Sequence, residues 1–163
     1  MKKGLIIIGY PGIGKTSRAG KDNCIDLEIS CFGDPEDTNA RDFLSYCDTA
    51  INLALQGYTV FISSHKQVRD YLHHIRAVGY KLIPIVIICP PIDLKYEWFD
   101  KLEKRYKKTG LEKDLRALRH VYEHYADDII DMVSDIFPVY QFNNMDYDLD
   151  DYISKARKEF CKE

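Results

Sequence analysis

The sequence predicts an α/β domain, a parallel sheet with helices on both faces. Three observations carry that expectation. Short apolar runs alternate along the chain with segments of helical period. Leu5–Ile8 is apolar without alternation, as a strand buried on both faces would be. Lys81–Cys89, rich in Ile and Val, is the strongest strand signal and closes on Pro90-Pro91.

Each element has its own signal. Leu5–Ile8 ends in Gly9, and Cys24–Glu28 is the second candidate strand. Asp37–Gln56 reads as a helix with Phe43, Leu44, Cys47, Ala50, Ile51 and Ala54 on one side and Gly57 as its stop. Tyr58–Ser63 is a third strand. Lys66–Ala77 is a helix that stops at Gly79. After the fourth strand, Asp93–Lys108 reads as a helix ended by Gly110. Leu111–Ile136 is a long helix with Leu115, Leu118, Tyr122, Tyr125, Ile129, Met132 and Ile136 at helical spacing, a stripe that suits either a core or a homodimer face. Val139–Phe142 is a last strand and Asp148–Phe160 a last helix.

Composition bounds the function. The chain has 163 residues and neither linker nor repeat, so residues 1–163 are expected to form one domain. A chain this long buries about 70% of its unfolded surface, enough for a core without staples. With 23 Lys+Arg against 26 Asp+Glu the net charge is −3, which argues against nucleic acid as a partner. No apolar run reaches the roughly 18 residues of a membrane span. The apolar run behind Met1-Lys2-Lys3 is too short for a signal peptide. The 5 cysteines (Cys24, Cys31, Cys47, Cys89, Cys161) form no C-x-x-C pair and suit reduced thiols in a cytoplasmic protein.

The strongest motif is Gly9-Tyr10-Pro11-Gly12-Ile13-Gly14-Lys15-Thr16, which fits G-x-x-x-x-G-K-[ST] directly after a strand. Glycines let the backbone curl so that several N–H groups point at one phosphate. The following helix would add the positive end of its dipole. Lys15 would neutralise the β- and γ-phosphates of ATP, and the Thr16 hydroxyl would hold Mg²⁺. The nucleotide contacts are expected to run on to Ser17. Ser17 also breaks a G-x-G-x-x-G reading from Gly12, which disfavours a dinucleotide fold. Only a short stretch separates Thr16 from the second strand, so the first helix must be stubby.

Acids are expected where strands end. The third strand ends in Ser63-Ser64-His65 and the fourth in Cys89-Pro90, so neither supplies one. The second supplies Asp26-Leu27-Glu28, and alternation puts Asp26 and Glu28 on one face. One of them would orient Mg²⁺ or take a proton from an attacking hydroxyl. The alternative is a pair of solvated carboxylates. Lys101, Lys104, Arg105 and Lys108 fall at i, i+3, i+4 and i+7, one helical face that either closes over a transferred phosphoryl group or is simply solvated. Arg105 is favoured because its fork matches phosphate geometry. Arg41, His65 and Arg69 are candidates to hold the acceptor. His120 and His124 read as a surface pair, and Trp98 and Phe99 as packing.

Together, Gly9–Thr16 after Leu5–Ile8, Asp26-Leu27-Glu28, Ser63-Ser64-His65 and a lid-like segment around 92–116 with Trp98 to Arg105 resemble the P-loop kinase superfamily, in particular small phage- and bacterial-type nucleotide (nucleoside monophosphate) kinase-like proteins. The resemblance implies a three-layer fold with a five-stranded parallel sheet in the order 2-3-1-4-5 and a helical lid. It implies phosphoryl transfer from ATP with Mg²⁺. Lys15 and Thr16 match the phosphate and metal residues, Arg105 a lid arginine and Arg41 an acceptor-side arginine. Asp26 and Glu28 resemble the acid pair that some small-molecule kinases carry. The chain lacks an Asp-Arg after the third strand and a paired-arginine lid. The expected activity is therefore ATP-dependent transfer to a nucleotide, nucleoside or similar small molecule. The rival readings are a polynucleotide 5′-hydroxyl kinase and a nucleotide-binding module that transfers nothing.

Overall fold

The computed structural model describes residues 3–33, 41–78 and 83–161. Strands β1 (Leu5–Gly9), β2 (Cys24–Asp26), β3 (Thr59–Ser63), β4 (Ile85–Cys89) and β5 (Val139–Gln141) form one sheet. All pairings are parallel and the order is β2-β3-β1-β4-β5. Every residue of β1 and β4 is buried. Successive side chains face opposite sides of a strand, so burial of all five requires cover on both faces.

The helices are α1 (Lys15–Arg18), α2 (Phe43–Leu55), α3 (Lys66–Ala77), α4 (Lys95–Thr109), α5 (Glu112–Val133) and α6 (Leu149–Phe160). The first is four residues long, as the short connection requires. Local chemistry sets several ends. Asp42 caps α2 by accepting from Ser45 N at 2.9 Å. Gly110, at φ +62, closes α4 with its N–H on the Tyr106 carbonyl. Asp148 caps α6 by accepting from Asp150 N.

Several boundaries differ from the sequence expectation. The helix expected from Asp37 starts at Phe43, because Asp42 acts as its cap; residues 37–40 lie outside the described residues. So do Gly79 and the first two residues of the Lys81–Cys89 run, of which Ile85–Cys89 is strand. The second strand stops at Asp26, though Leu27 N still bonds the Phe61 carbonyl. Ile92–Leu94 takes a tighter 3-10 turn before α4 begins. On α5 the core stripe is Val121, Tyr125, Ile129 and Met132, whereas Tyr122 is exposed; the helix expected to reach Ile136 ends at Val133, and Ile136 beyond it is exposed. Leu44 on α2 is exposed too, and Tyr46 takes its place inside.

No helix among the described residues is long and apolar enough to cross a membrane. The five cysteines are free thiols, Cys31 exposed and Cys24, Cys47 and Cys89 buried.

Candidate functional site

Register brings the ends of the strands together. Gly9 closes β1 opposite Ser63 of β3 and Ile88 of β4, so the loop that follows sits on the carboxyl edge of the sheet. Its shape depends on Gly12, at φ +92, where an added Cβ would also lie 2.8 Å from Leu102 Cδ2. At Gly9 the constraint is space, because a Cβ would lie 2.8 Å from Lys15 Cδ. Lys15 runs back under the loop through that gap, and its Nζ donates to the Gly9 carbonyl at 2.9 Å. Burial lowers the Lys15 pKa; Asp26 and Glu28 oppose that, and Arg105 reinforces it. Thr16 Oγ1 donates to Asp26 Oδ2 at 3.0 Å, so the loop threonine and the strand-end acid are one unit.

These groups open onto a cavity of about 620 Å³. The loop forms one wall, the end of β2 from Asp26 to Ile29 a second, and the α4–α5 hairpin a third. Pro11, Gly12, Gly14, Lys15, Thr16 and Ser17 all reach it, as do Asp26 and Glu28. A more open hollow of about 400 Å³ flanks the loop, lined by Gly14, Ser17, Arg18, Tyr147 and Leu149 among others. Lys101 borders both spaces.

Other candidate positions resolve differently. Tyr10 does not face the cavity: it is fully buried, its ring meets Tyr125 edge to face, and its hydroxyl donates to Asp128 at 3.4 Å. Ile13 is buried as well. Both lie in the motif at positions where only the backbone can meet a ligand. The expected dipole of the following helix is also small, since four residues sum few peptide dipoles. Of the basic face, Lys101 and Arg105 line the cavity, while Lys104 and Lys108 are exposed. Arg105 Nε pairs with Asp114 at 2.8 Å, and the buried Asp114 also accepts from the Thr109 hydroxyl. Glu28 faces Lys113 at 3.8 Å.

The three acceptor candidates do not line the cavity. Arg69 is buried, and its guanidinium pairs with Asp131 and, at 3.0 Å, with Asp135, while Nε bonds the Ser64 carbonyl. It fastens α3 to α5. Arg41 Nη1 lies 3.1 Å from His65 Nε2, and His65 Nδ1 contacts Ser63 Oγ. Burial and the neighbouring Arg41 push the His65 pKa down to about 4. Ser63 is the member of this group that reaches the cavity.

Residues unremarked as site groups in the sequence brace the loop. Trp98 Nε1 donates to the Pro11 carbonyl at 2.8 Å. Tyr147 donates to the Ile13 carbonyl at 2.9 Å. Trp98 and Tyr147 stack with Phe142, and Lys101 Nζ lies 4.4 Å from the Trp98 ring and 4.7 Å from that of Tyr147. Burial, with Arg105 nearby, lowers the Lys101 pKa to about 8. Tyr46 accepts from Ser63 N and donates to the Leu27 carbonyl, both at 2.8 Å, tying the ends of β2 and β3 together. Only Trp98, one helical turn before Lys101, left a signal in the sequence. The tyrosine contacts span distant segments and left none.

Among the described residues no group of three or more His, Cys, Asp or Glu forms a metal site. Thr16 and Asp26 offer two oxygens, which suits Mg²⁺, an ion that takes few protein ligands and completes its shell with water and phosphate. No protein-family model and no curated protein matches the chain.

Proposed function

We propose that the chain is an ATP-dependent phosphotransferase of the P-loop kinase type, with the segment around 92–116, α4 and the start of α5, as its helical lid. The observation that carries this reading is the conjunction of Lys15 under the loop with the Thr16–Asp26 bond at the mouth of the same cavity. Loop amides and the Lys15 ammonium would bind the β- and γ-phosphates of ATP. Lys101 and Arg105, aimed from α4, would meet charge that builds on the transferred group. Thr16 and Asp26 would hold Mg²⁺, which supplies charge neutralisation between the phosphates when bound. Glu28, which lines the same cavity as Asp26, would take the proton of the acceptor. The free thiols accord with a reducing, cytoplasmic setting.

A module that binds nucleotide and transfers nothing is the second reading, favoured by Ser63 standing at the end of β3 where no acid is present. Titration calorimetry with Mg²⁺ and an unreactive ATP analogue tests the first half of the proposal. Lys15→Ala should weaken binding at least about a hundredfold, as loss of a charge-assisted phosphate contact worth roughly 3 kcal/mol predicts. Unchanged affinity would remove Lys15 from its role. Acceptor-stimulated ADP release then separates transferase from module.

A further inference from the structure

The end of the cavity away from the phosphate loop has its own chemistry. Its cation Lys113 faces Glu28 at 3.8 Å, and Arg105, already paired with Asp114 at 2.8 Å, is committed to the transferred phosphoryl group. Arg41 and Arg69, the guanidinium groups of the neighbouring elements, turn to His65 and to Asp131 and Asp135. Recognition of a second phosphate normally calls on forked arginine donors not already held by carboxylates. This end offers an acid instead, Glu28, with Leu27, Ile29, Leu111 and Ala117 as apolar lining, while Asp26 is held by Thr16 of the loop.

Ser63 adds a directed donor. An arginine can only donate, so its bond at 3.1 Å makes His65 Nε2 the acceptor and leaves the ring hydrogen on Nδ1. Nδ1–H then gives to Ser63 Oγ, which also accepts from the His65 backbone N–H at 3.4 Å. With both acceptor sites taken, the Ser63 hydroxyl hydrogen is left to donate into the cavity that it lines.

We infer that the acceptor is an uncharged alcohol of the nucleoside or sugar class and carries no phosphate, with its hydroxyl between Glu28 and Ser63 and its carbon skeleton on the apolar lining. This rests on the phosphotransferase reading above. In the step, Glu28 takes the proton of the acceptor hydroxyl. That oxygen forms the new bond to the γ-phosphorus of ATP, the bond from that phosphorus to the β–γ bridging oxygen breaks, and ADP leaves with the electron pair.

The test uses the full chain with ATP and Mg²⁺ and follows ADP release. Thymidine, adenosine and ribose are each compared with the corresponding 5′-phosphate. At least one phosphate-free compound should stimulate ADP release tenfold or more over its phosphorylated partner, and Glu28→Gln should lower that stimulated rate at least tenfold. Greater stimulation by the phosphorylated compounds overturns this inference and leaves the phosphotransferase reading standing. ATP binding by calorimetry without stimulation by any compound overturns both. Absence of ATP binding overturns the phosphotransferase reading first, and the inference falls with it.

Discussion

The indole of Trp98 donates its one hydrogen to the carbonyl of Pro11, 2.8 Å away, and so joins helix α4 to the loop between β1 and α1. Trp98 is fully buried. Replacing it with Phe keeps an aromatic ring there but leaves a loop carbonyl without its partner, at a cost of about 1–3 kcal/mol. Trp98→Phe should lower Tm by about 4–8 °C in a thermal melt and weaken ATP binding about tenfold, as the loop loses its set position.

Lys101 has the opposite balance. Burial holds its pKa near 8, below its ordinary value, so at neutral pH folding works against the charge. Lys101→Met keeps the stem over the rings of Trp98 and Tyr147 and removes the ammonium. Stability by urea titration should hold or rise by about 1 kcal/mol, after allowance for the lost cation–π contact. ATP affinity should fall about tenfold or more in the same variant.

Arg69 is a structural residue in a buried network. Arg69→Ala would leave the enclosed Asp135 carboxylate without its guanidinium, and removal of one partner of such a pair costs about 3 kcal/mol or more. Tm should drop by roughly 6–12 °C. Arg69→Lys should recover only part of the loss, because a single ammonium cannot reach Asp131, Asp135 and the Ser64 carbonyl together.

His65 predicts a pH dependence of stability. Its folded pKa of about 4 lies below the ordinary value of 6.5, so the unfolded chain binds the extra proton between those pH values. The stability that this group contributes is complete above about pH 6.5 and is lost as pH falls through about 4, some 3 kcal/mol in all. His120 works in another window: its bond to Asp128 raises its pKa, so its contribution is complete below the unfolded value and fades at higher pH. Urea titrations from pH 7 to pH 4 should show the acid loss in the native chain. His65→Gln should flatten it.

The loop between Gly9 and Thr16 was legible because its glycine spacing is local. Gly9, Gly12 and Gly14 sit at fixed spacing before Lys15; a Cβ at Gly9 would meet Ile13 and Lys15 nearby, whereas one at Gly12 would meet Leu102 and Trp98 of α4. The acid at Asp26 was legible for the same reason, since strand alternation decides which way it faces. Arg41, His65 and Arg69 were not. A basic side chain looks alike in sequence whether it turns to a ligand or to a carboxylate on another helix, and Asp131 and Asp135 lie more than sixty residues from Arg69. At Tyr10 the motif constrains the backbone and leaves the side chain to the core.

By itself the sequence determined the parallel α/β architecture, the curl of chain between Gly9 and Thr16, and the place of Asp26 at the end of a strand. Period, glycine spacing and alternation act over a few residues and need no partner. The fold alone decided that Trp98 and Tyr147 hold the loop, that Lys101 stands between two spaces, and that Ser63 rather than Arg41 or His65 reaches the cavity. Those outcomes depend on which side chains meet across the sheet and between helices, and only packing brings such distant residues within hydrogen-bond reach.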